Sequence, residues 1–194
     1  MELKYGTIDD AVKELQTQLN DSSTTRLPRL RLDTLFDVMT MARVMEYQHL
    51  RGLTTDGVVG PKTQRSLNAH RGRTSAPLGR CIVVDLINNQ LYAYENGTEK
   101  FHFLRIKGGS ASDPSDRGVF KVYKRLRDHT SSQFPEPRGN MNFSLFYNKG
   151  EALHQGPTSA DSHGCIHVRP TEAEQLFNWA GQVDLMVIVA KLTH

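Results

Sequence analysis

Long apolar runs are missing from this 194-residue chain. None approaches the length of about 18 residues that crosses a bilayer, and the opening MELKYGTIDDAVKEL has no apolar core behind a basic start. The sequence therefore predicts no membrane span and no Sec-type leader. Cysteine is scarce as well: Cys81 and Cys165 cannot build a disulfide scaffold, and pairing them would consume both thiols, so both are expected free. Charge of one sign is not in excess, with 24 Lys and Arg against 21 Asp and Glu, and the net charge of +3 favours anionic surroundings without naming them. Nucleic acid is not an expected partner, because Arg26, Arg29, Arg31, Arg71 and Arg73 are dispersed and no stacking aromatics lie between them.

What is present suits a folded chain: 38% hydrophobic and 23% charged residues, at a length that can bury one large core or two small ones. From Ile8 to Asn20 the apolar residues Val12, Leu15 and Leu19 recur at helical spacing, and Leu35, Val38, Ala42 and Met45 repeat the pattern. A third helix is expected to start at GPKTQRSLNA, since Pro61 has its φ preset for a first helical turn and lacks the N–H that would be orphaned there. Asp56-Gly57 and Gly60 before it supply a tight loop.

The texture then changes. Residues 70–79 carry Gly, Pro, Ser and basic residues with no apolar period, which reads as a linker. After it CIVVDLI, QLYAYENG, EKFHFLRI, GVFKVYKRL, MNFSLFYN and DLMVIVA read as strands by their β-branched and aromatic content, with turns at Asn88-Asn89, Asn96-Gly97 and Gly118. One helix interrupts them, TEAEQLFNWA, with Thr171 as N-cap, Glu174 completing a capping box, and Gly181 as its end. The expected fold is α+β: a three-helix bundle over residues 1–69, a linker over 70–79, and a mainly antiparallel β domain over 80–194.

The chemistry concentrates in SHGCIHVRP, residues 162–170. An ordinary thiol is only a few per cent thiolate at neutral pH, and a nearby histidine can change that, so Cys165 with His154, His163 and His167 reads as a nucleophile. Gly164 would let the backbone turn and bring N–H groups close, as an oxyanion site requires. Two other readings stand beside it. Residues 163, 165 and 167 would share one face of a regular strand and offer a metal ion His, Cys and His, with His154 as a fourth ligand. Alternatively Cys165 is a small buried hydrophobe.

These residues also carry a resemblance. HQGPTSADSHGCIHV resembles the active-site signature of the L,D-transpeptidase (YkuD-like) catalytic domain, and the likeness runs upstream through IVVDLINNQLYAYENG, GGSASDPSDRGVFKV and MNFSLFYNKGEALH, covering roughly residues 80–190. AVKELQTQLN and MARVMEYQHLRGLTTDGVVGPKTQRSLN, with Tyr47-Gln48 and Asp56-Gly57-Val58-Val59-Gly60, resemble the three-helix peptidoglycan-binding domain. The resemblance implies an enzyme of the cell wall or periplasm that needs no cofactor and attacks the third residue of a peptidoglycan stem peptide, at its bond to D-alanine. It implies Cys165 as nucleophile, His154 as the base, the Gln155 main-chain carbonyl as the group that holds His154, and Gly164 and Cys165 N–H groups at the oxyanion. His163 would line the site or serve structurally, and Ser162 would orient it by a hydroxyl hydrogen bond. Arg169 would meet substrate carboxylates or lie at the surface, and His167 stands where the family often has Arg or Asn.

Cys165 follows His154 by 11 positions, a short interval for the family, which implies a trimmed loop and a cleft open to water and small acceptors. Hydrolysis or D-amino-acid exchange is therefore expected over bulk cross-linking. Either a native leader lies upstream of Met1 or, with a genuine start there, the resemblance extends to type VI secreted L,D-transpeptidase effectors, which would leave by a Sec-independent route and have an immunity protein as partner. A non-catalytic wall-binding protein is the remaining alternative.

Overall fold

The structure is a computed structural model describing residues 2–22, 25–70, 76–131, 139–182 and 184–192. Residues 71–75, the middle of the expected linker with Arg71 and Arg73, lie outside the described residues.

Three helices come first. α1 (Asp10–Asp21) starts behind Asp9, whose carboxylate accepts from the Ala11 N–H at 2.8 Å, and α2 (Val38–Leu50) behind Asp37, which accepts from the Thr40 N–H at 2.7 Å. Each aspartate satisfies a donor that the first turn would leave orphaned. Ile8 and Leu35, read from the sequence as parts of these helices, precede them and pair with each other in an isolated bridge. α3 (Pro61–Ala69) has Pro61 in its first turn, behind Gly60. Tyr47-Gln48 and Asp56-Gly57 stand together for a physical reason. The buried Gln48 amide donates to Asp56 Oδ1 (2.8 Å) and Val58 O (2.9 Å), and its carbonyl accepts from the Gly57 N–H (2.9 Å), so it clamps the loop onto α2.

The strands are β1 (Arg80–Asp85), β2 (Gln90–Glu95), β3 (Thr98–Phe103), β4 (Ile106–Lys107), β5 (Gly118–Lys121), β6 (Lys124–Leu126), β7 (Ser144–Asn148), β8 (Glu151–Gln155), β9 (Ile166–Val168) and β10 (Leu185–Ala190), with α4 (Pro170–Ala180) before the last. They form two five-stranded sheets, ordered β3-β2-β1-β10-β5 and β4-β9-β8-β7-β6. Each contains one parallel pair, β1 with β10 and β8 with β9, in an otherwise antiparallel ladder. EKFHFLRI and GVFKVYKRL, each read as one strand, bend into two, so that both sheets draw on them.

Two local expectations are corrected. α4 begins at Pro170, not after Thr171, because proline's fixed φ and missing N–H suit it to the first helical position; Arg169 then occupies the cap without a side-chain bond, and the capping box is not formed. Gly118 opens β5 rather than a turn, and a Cβ there would come within 2.7 Å of the Phe120 ring.

The apolar run LMVIVA explains how the layers join. All six residues of β10 are buried, because strand alternation sends Leu185, Val187 and Val189 into a core shared with the second sheet and α4, and Met186, Ile188 and Ala190 into a core shared with α1 and α2. β1 divides in the same way, with Ile82 and Val84 on one side and Cys81 and Val83 on the other. The helical region thus packs on the outer face of the first sheet. Arg26 reinforces the contact by donating to Asp184 O (2.9 Å) and pairing with the Asp184 carboxylate. The architecture is α+β, an N-terminal helical region followed by a two-sheet β domain.

Candidate active site

β7 turns into β8 through Lys149 (φ 41°) and Gly150 (φ 102°), the pair of positive φ values that matches a tight hairpin to strand twist. β8 lies parallel to β9 with Leu153 opposite Ile166 and His154 opposite His167. Cys165, the residue before β9, is therefore one step ahead of the Leu153 row and diagonal to His154. The strand is too short to give 163, 165 and 167 one common face, because Gly164 turns the chain just before it at φ 97°. Only glycine takes that value without strain, and a Cβ there would also meet Glu151 Oε1 at 3.1 Å.

The turn is braced from two sides. The Ser162 hydroxyl donates to the Cys165 carbonyl, which fixes the turn itself where the sequence suggested His163 as its partner. The glycine-serine segment at 108–115 runs alongside: Ser110 N–H donates to Ser162 O (3.0 Å), Ser162 N–H to Gly108 O (3.2 Å), and Gly109 N–H to Ser115 Oγ (2.9 Å). The small residues of GGSAS, assigned no role from the sequence, allow this approach; a Cβ on Gly109 would stand 2.9 Å from Gly164 N.

His154 is buried, 5% exposed, and its Nδ1 lies 2.6 Å from the Gln155 carbonyl. A carbonyl only accepts, so Nδ1 carries the proton and Nε2 keeps the lone pair. The Gln155 backbone is held in turn by its N–H to Asn142 O (3.1 Å), and its side chain by Asn140 Oδ1 (2.7 Å). Burial, then the positive charges possible on His167 and His129, depress the His154 pKa to about 4 against the Gln155 bond that opposes them. At neutral pH it is an uncharged base.

The half-buried Cys165 thiol contacts the Gly150 carbonyl at 4.0 Å, and among the described residues no thiol–imidazole hydrogen bond is formed. Burial raises the thiol's pKa; the Ala152 backbone opposes this and the Glu151 charge adds to it. The lowering by a neighbouring histidine that the sequence suggested is absent, since the imidazole beside it is neutral.

His167 stacks edge-on against His154 with ring centroids 5.1 Å apart, and its Nδ1 faces Pro157 O (3.1 Å) and Ala160 O (3.3 Å). Gly156 makes room for it, as a Cβ there would come within 2.6 Å of the His167 ring. His163 is exposed. Arg169 is exposed at the head of α4, where its guanidinium is taken by Glu172. Among the described residues, no three His, Cys, Asp or Glu side chains converge as a metal site. The residue that sequence reading missed is Glu151, an acidic side chain directly after the Lys-Gly turn. A separate groove of about 380 Å³, lined by Glu2, Asp56, Lys62 and Arg65 among others, lies in the helical region and shares no residue with the Cys165 site.

Among the described residues no helix is long and apolar enough to cross a membrane. No curated protein matches the chain. Among solved structures, the chain is similar to the L,D-transpeptidase (Yku) from Stackebrandtia nassauensis, 21% identical over 97% of this chain and 95% of that one with a TM-score of 0.53. It is also similar to the L,D-transpeptidase from Xylanimonas cellulosilytica, 26% identical over 98% of both chains with a TM-score of 0.51. An L,D-transpeptidase from Mycobacterium smegmatis matches 58% of each chain at 21% identity and a TM-score of 0.51. The peptidoglycan binding domain family matches residues 9–67, and YkuD, the L,D-transpeptidase catalytic domain family, matches residues 79–189. The chain belongs to the YkuD family of L,D-transpeptidase catalytic domains, joined to a peptidoglycan-binding domain, and its place of action is the bacterial cell wall or periplasm.

Proposed function

We propose that Cys165 carries out thiol-dependent acyl transfer on the peptidoglycan stem peptide. The observation that supports it most is the His154 tautomer: the Nδ1 proton is committed to Gln155 O, which leaves Nε2 as a proton acceptor on the strand beside the thiol. The thiol gives its proton to Nε2 as sulfur attacks the carbonyl of the third stem residue. The oxyanion is received by the Gly164 and Cys165 N–H groups, the C–N bond breaks, and D-alanine leaves with the proton from His154. Ser162 holds the turn that presents these groups, His167 packs His154 from the side, and the exposed His163 and Arg169 are assigned to substrate contact by the resemblance alone. The thioester is then resolved by water, giving carboxypeptidase activity, or by an amine such as a D-amino acid, giving exchange. The short interval between His154 and Cys165 supports small acceptors over bulk cross-linking.

The proposed units are a wall-binding region over 1–69, a connection over 70–79 and a catalytic region over 80–194. An antibacterial effector role with an immunity partner finds no contact or motif among the described residues to support it, so the proposal is confined to wall chemistry. Mass spectrometry of a tetrapeptide stem incubated with wild-type and Cys165→Ala protein tests it. Loss of terminal D-alanine, with a transient thioester mass on wild type alone, is the expected result; equal processing by both proteins would overturn it.

A further inference from the structure

Glu151 opens β8 three residues ahead of His154, and its carboxylate turns back toward the thiol. Oε1 accepts from the Asp116 N–H (2.9 Å) and Oε2 from Asn148 Nδ2 (3.1 Å). Oε1 also lies 3.1 Å from where a Gly164 Cβ would be, so the carboxylate covers the glycine next to Cys165. Among the described residues no cation pairs with it: Lys149, its neighbour in the turn, stands 3.9 Å from Asp116 instead. A second polar group lies beside it. Tyr147 is 3% exposed and its hydroxyl faces Glu151, yet among the described residues it makes no hydrogen bond of regular geometry.

A half-buried carboxylate beside this thiol works against the chemistry, because it disfavours both a thiolate and an oxyanion. A cation arriving with a substrate removes that opposition. The amine that takes an acyl group is an ammonium ion at neutral pH, and it cannot attack until it loses a proton. We propose that Glu151, with the Tyr147 hydroxyl and Asp116 beside it, is the subsite for the primary ammonium of the acyl acceptor, and that it selects an amine over water. This rests on the reading of Cys165 as the acyl-transfer nucleophile.

In the transfer step the ammonium gives one proton to Glu151. The freed amine attacks the thioester carbonyl, the C–N bond forms, the C–S bond breaks, and a second proton passes through His154 to the departing sulfur. Ammonium, carboxylate and thioester become amide, carboxylic acid and thiol, with atoms and charge balanced. Water brings no positive charge to the subsite and gains nothing from it.

The test is the ratio of amide to hydrolysis product when a tetrapeptide stem is processed in the presence of D-alaninamide. Glu151→Gln is expected to lower that ratio by about tenfold or more, and Glu151→Asp to recover part of it; an unchanged ratio in Glu151→Gln overturns the proposal. A second readout needs no stem peptide. Propylammonium chloride should speed iodoacetamide alkylation of Cys165 about threefold over sodium chloride at equal ionic strength, in wild type and not in Glu151→Gln. If Glu151→Gln does not fold, the wild-type salt comparison decides alone. A wild-type protein that responds to propylammonium but processes no stem would sink the peptidoglycan reading and keep the subsite. Stem processing with no such response would sink the subsite only.

Discussion

Cys81 and Cys165 place the same side chain in two settings, one fully buried and one half-buried, that differ also in how their neighbours are satisfied. Burial raises both thiols, and each has a glutamate that raises it further, Glu46 for Cys81 and Glu151 for Cys165. Glu46 is fully engaged, accepting from Arg43 (2.9 Å), Thr25 Oγ1 (2.5 Å) and the Arg26 N–H (2.9 Å), in a pocket closed by α2 and β1. Glu151 faces neutral donors and, among the described residues, no cation. The first arrangement holds a core together; the second leaves a carboxylate without a cation among the described residues, beside the thiol proposed to react. A perturbed thiol alone does not mark a reactive site, since burial raises both; the proposed role of Cys165 rests on the carboxylate beside it that no cation balances among the described residues.

The comparison breaks first on removal of each sulfur. Cys165→Ala should reduce stem processing by about 10³-fold or more, since the covalent route is lost. Cys81→Ala should leave turnover near wild type. The reverse pattern, followed by release of D-alanine, would show that the two settings have been misread.

Next in size is the turn. Gly164→Ala forces an L side chain to φ 97° against Glu151, and kcat should fall about 10- to 100-fold as the N–H groups move. A variant with unchanged kcat would remove Gly164 from the oxyanion role.

The third is a stability effect of pH. The folded-state pKa of His154, about 4, lies below its ordinary 6.5. The stability this confers is therefore complete above pH 6.5, declines as pH falls, and is lost by about pH 4, amounting to roughly 3 kcal/mol. Urea melts at pH 7 and pH 4.5 should separate for wild type and lie closer together for His154→Gln; identical separations would contradict a buried neutral imidazole. The smallest effect belongs to the other cysteine, where Cys81→Ala should cost about 1–2 kcal/mol in the same melts by leaving a small void under the helices.

Much of this was legible in the sequence where the cause is local. Helical spacing located the first two helices, Pro61 located the start of the third, and the β-branched run LMVIVA marked a strand. Local rules failed where two signals competed at one place. Thr171 and Glu174 spelled a capping box, yet Pro170 one residue earlier claimed the first turn. They failed again where the partner is distant: nothing near Glu151 in the sequence indicates that its carboxylate will lie over Gly164. Ser162 was readable as a hydroxyl with a task, but its acceptor, the Cys165 carbonyl, depends on how the turn closes.

β10 has a consequence for reach. With one face turned to the helices and the other to the second sheet, it is a wall common to the peptidoglycan-binding domain and the L,D-transpeptidase catalytic domain. A tethered binding domain sweeps a volume set by its tether, whereas a shared wall fixes a single offset. On the proposed role of Cys165, peptidoglycan held by the helices would present its stems to the thiol at one spacing, so the enzyme would sample the wall as a gauge of set length.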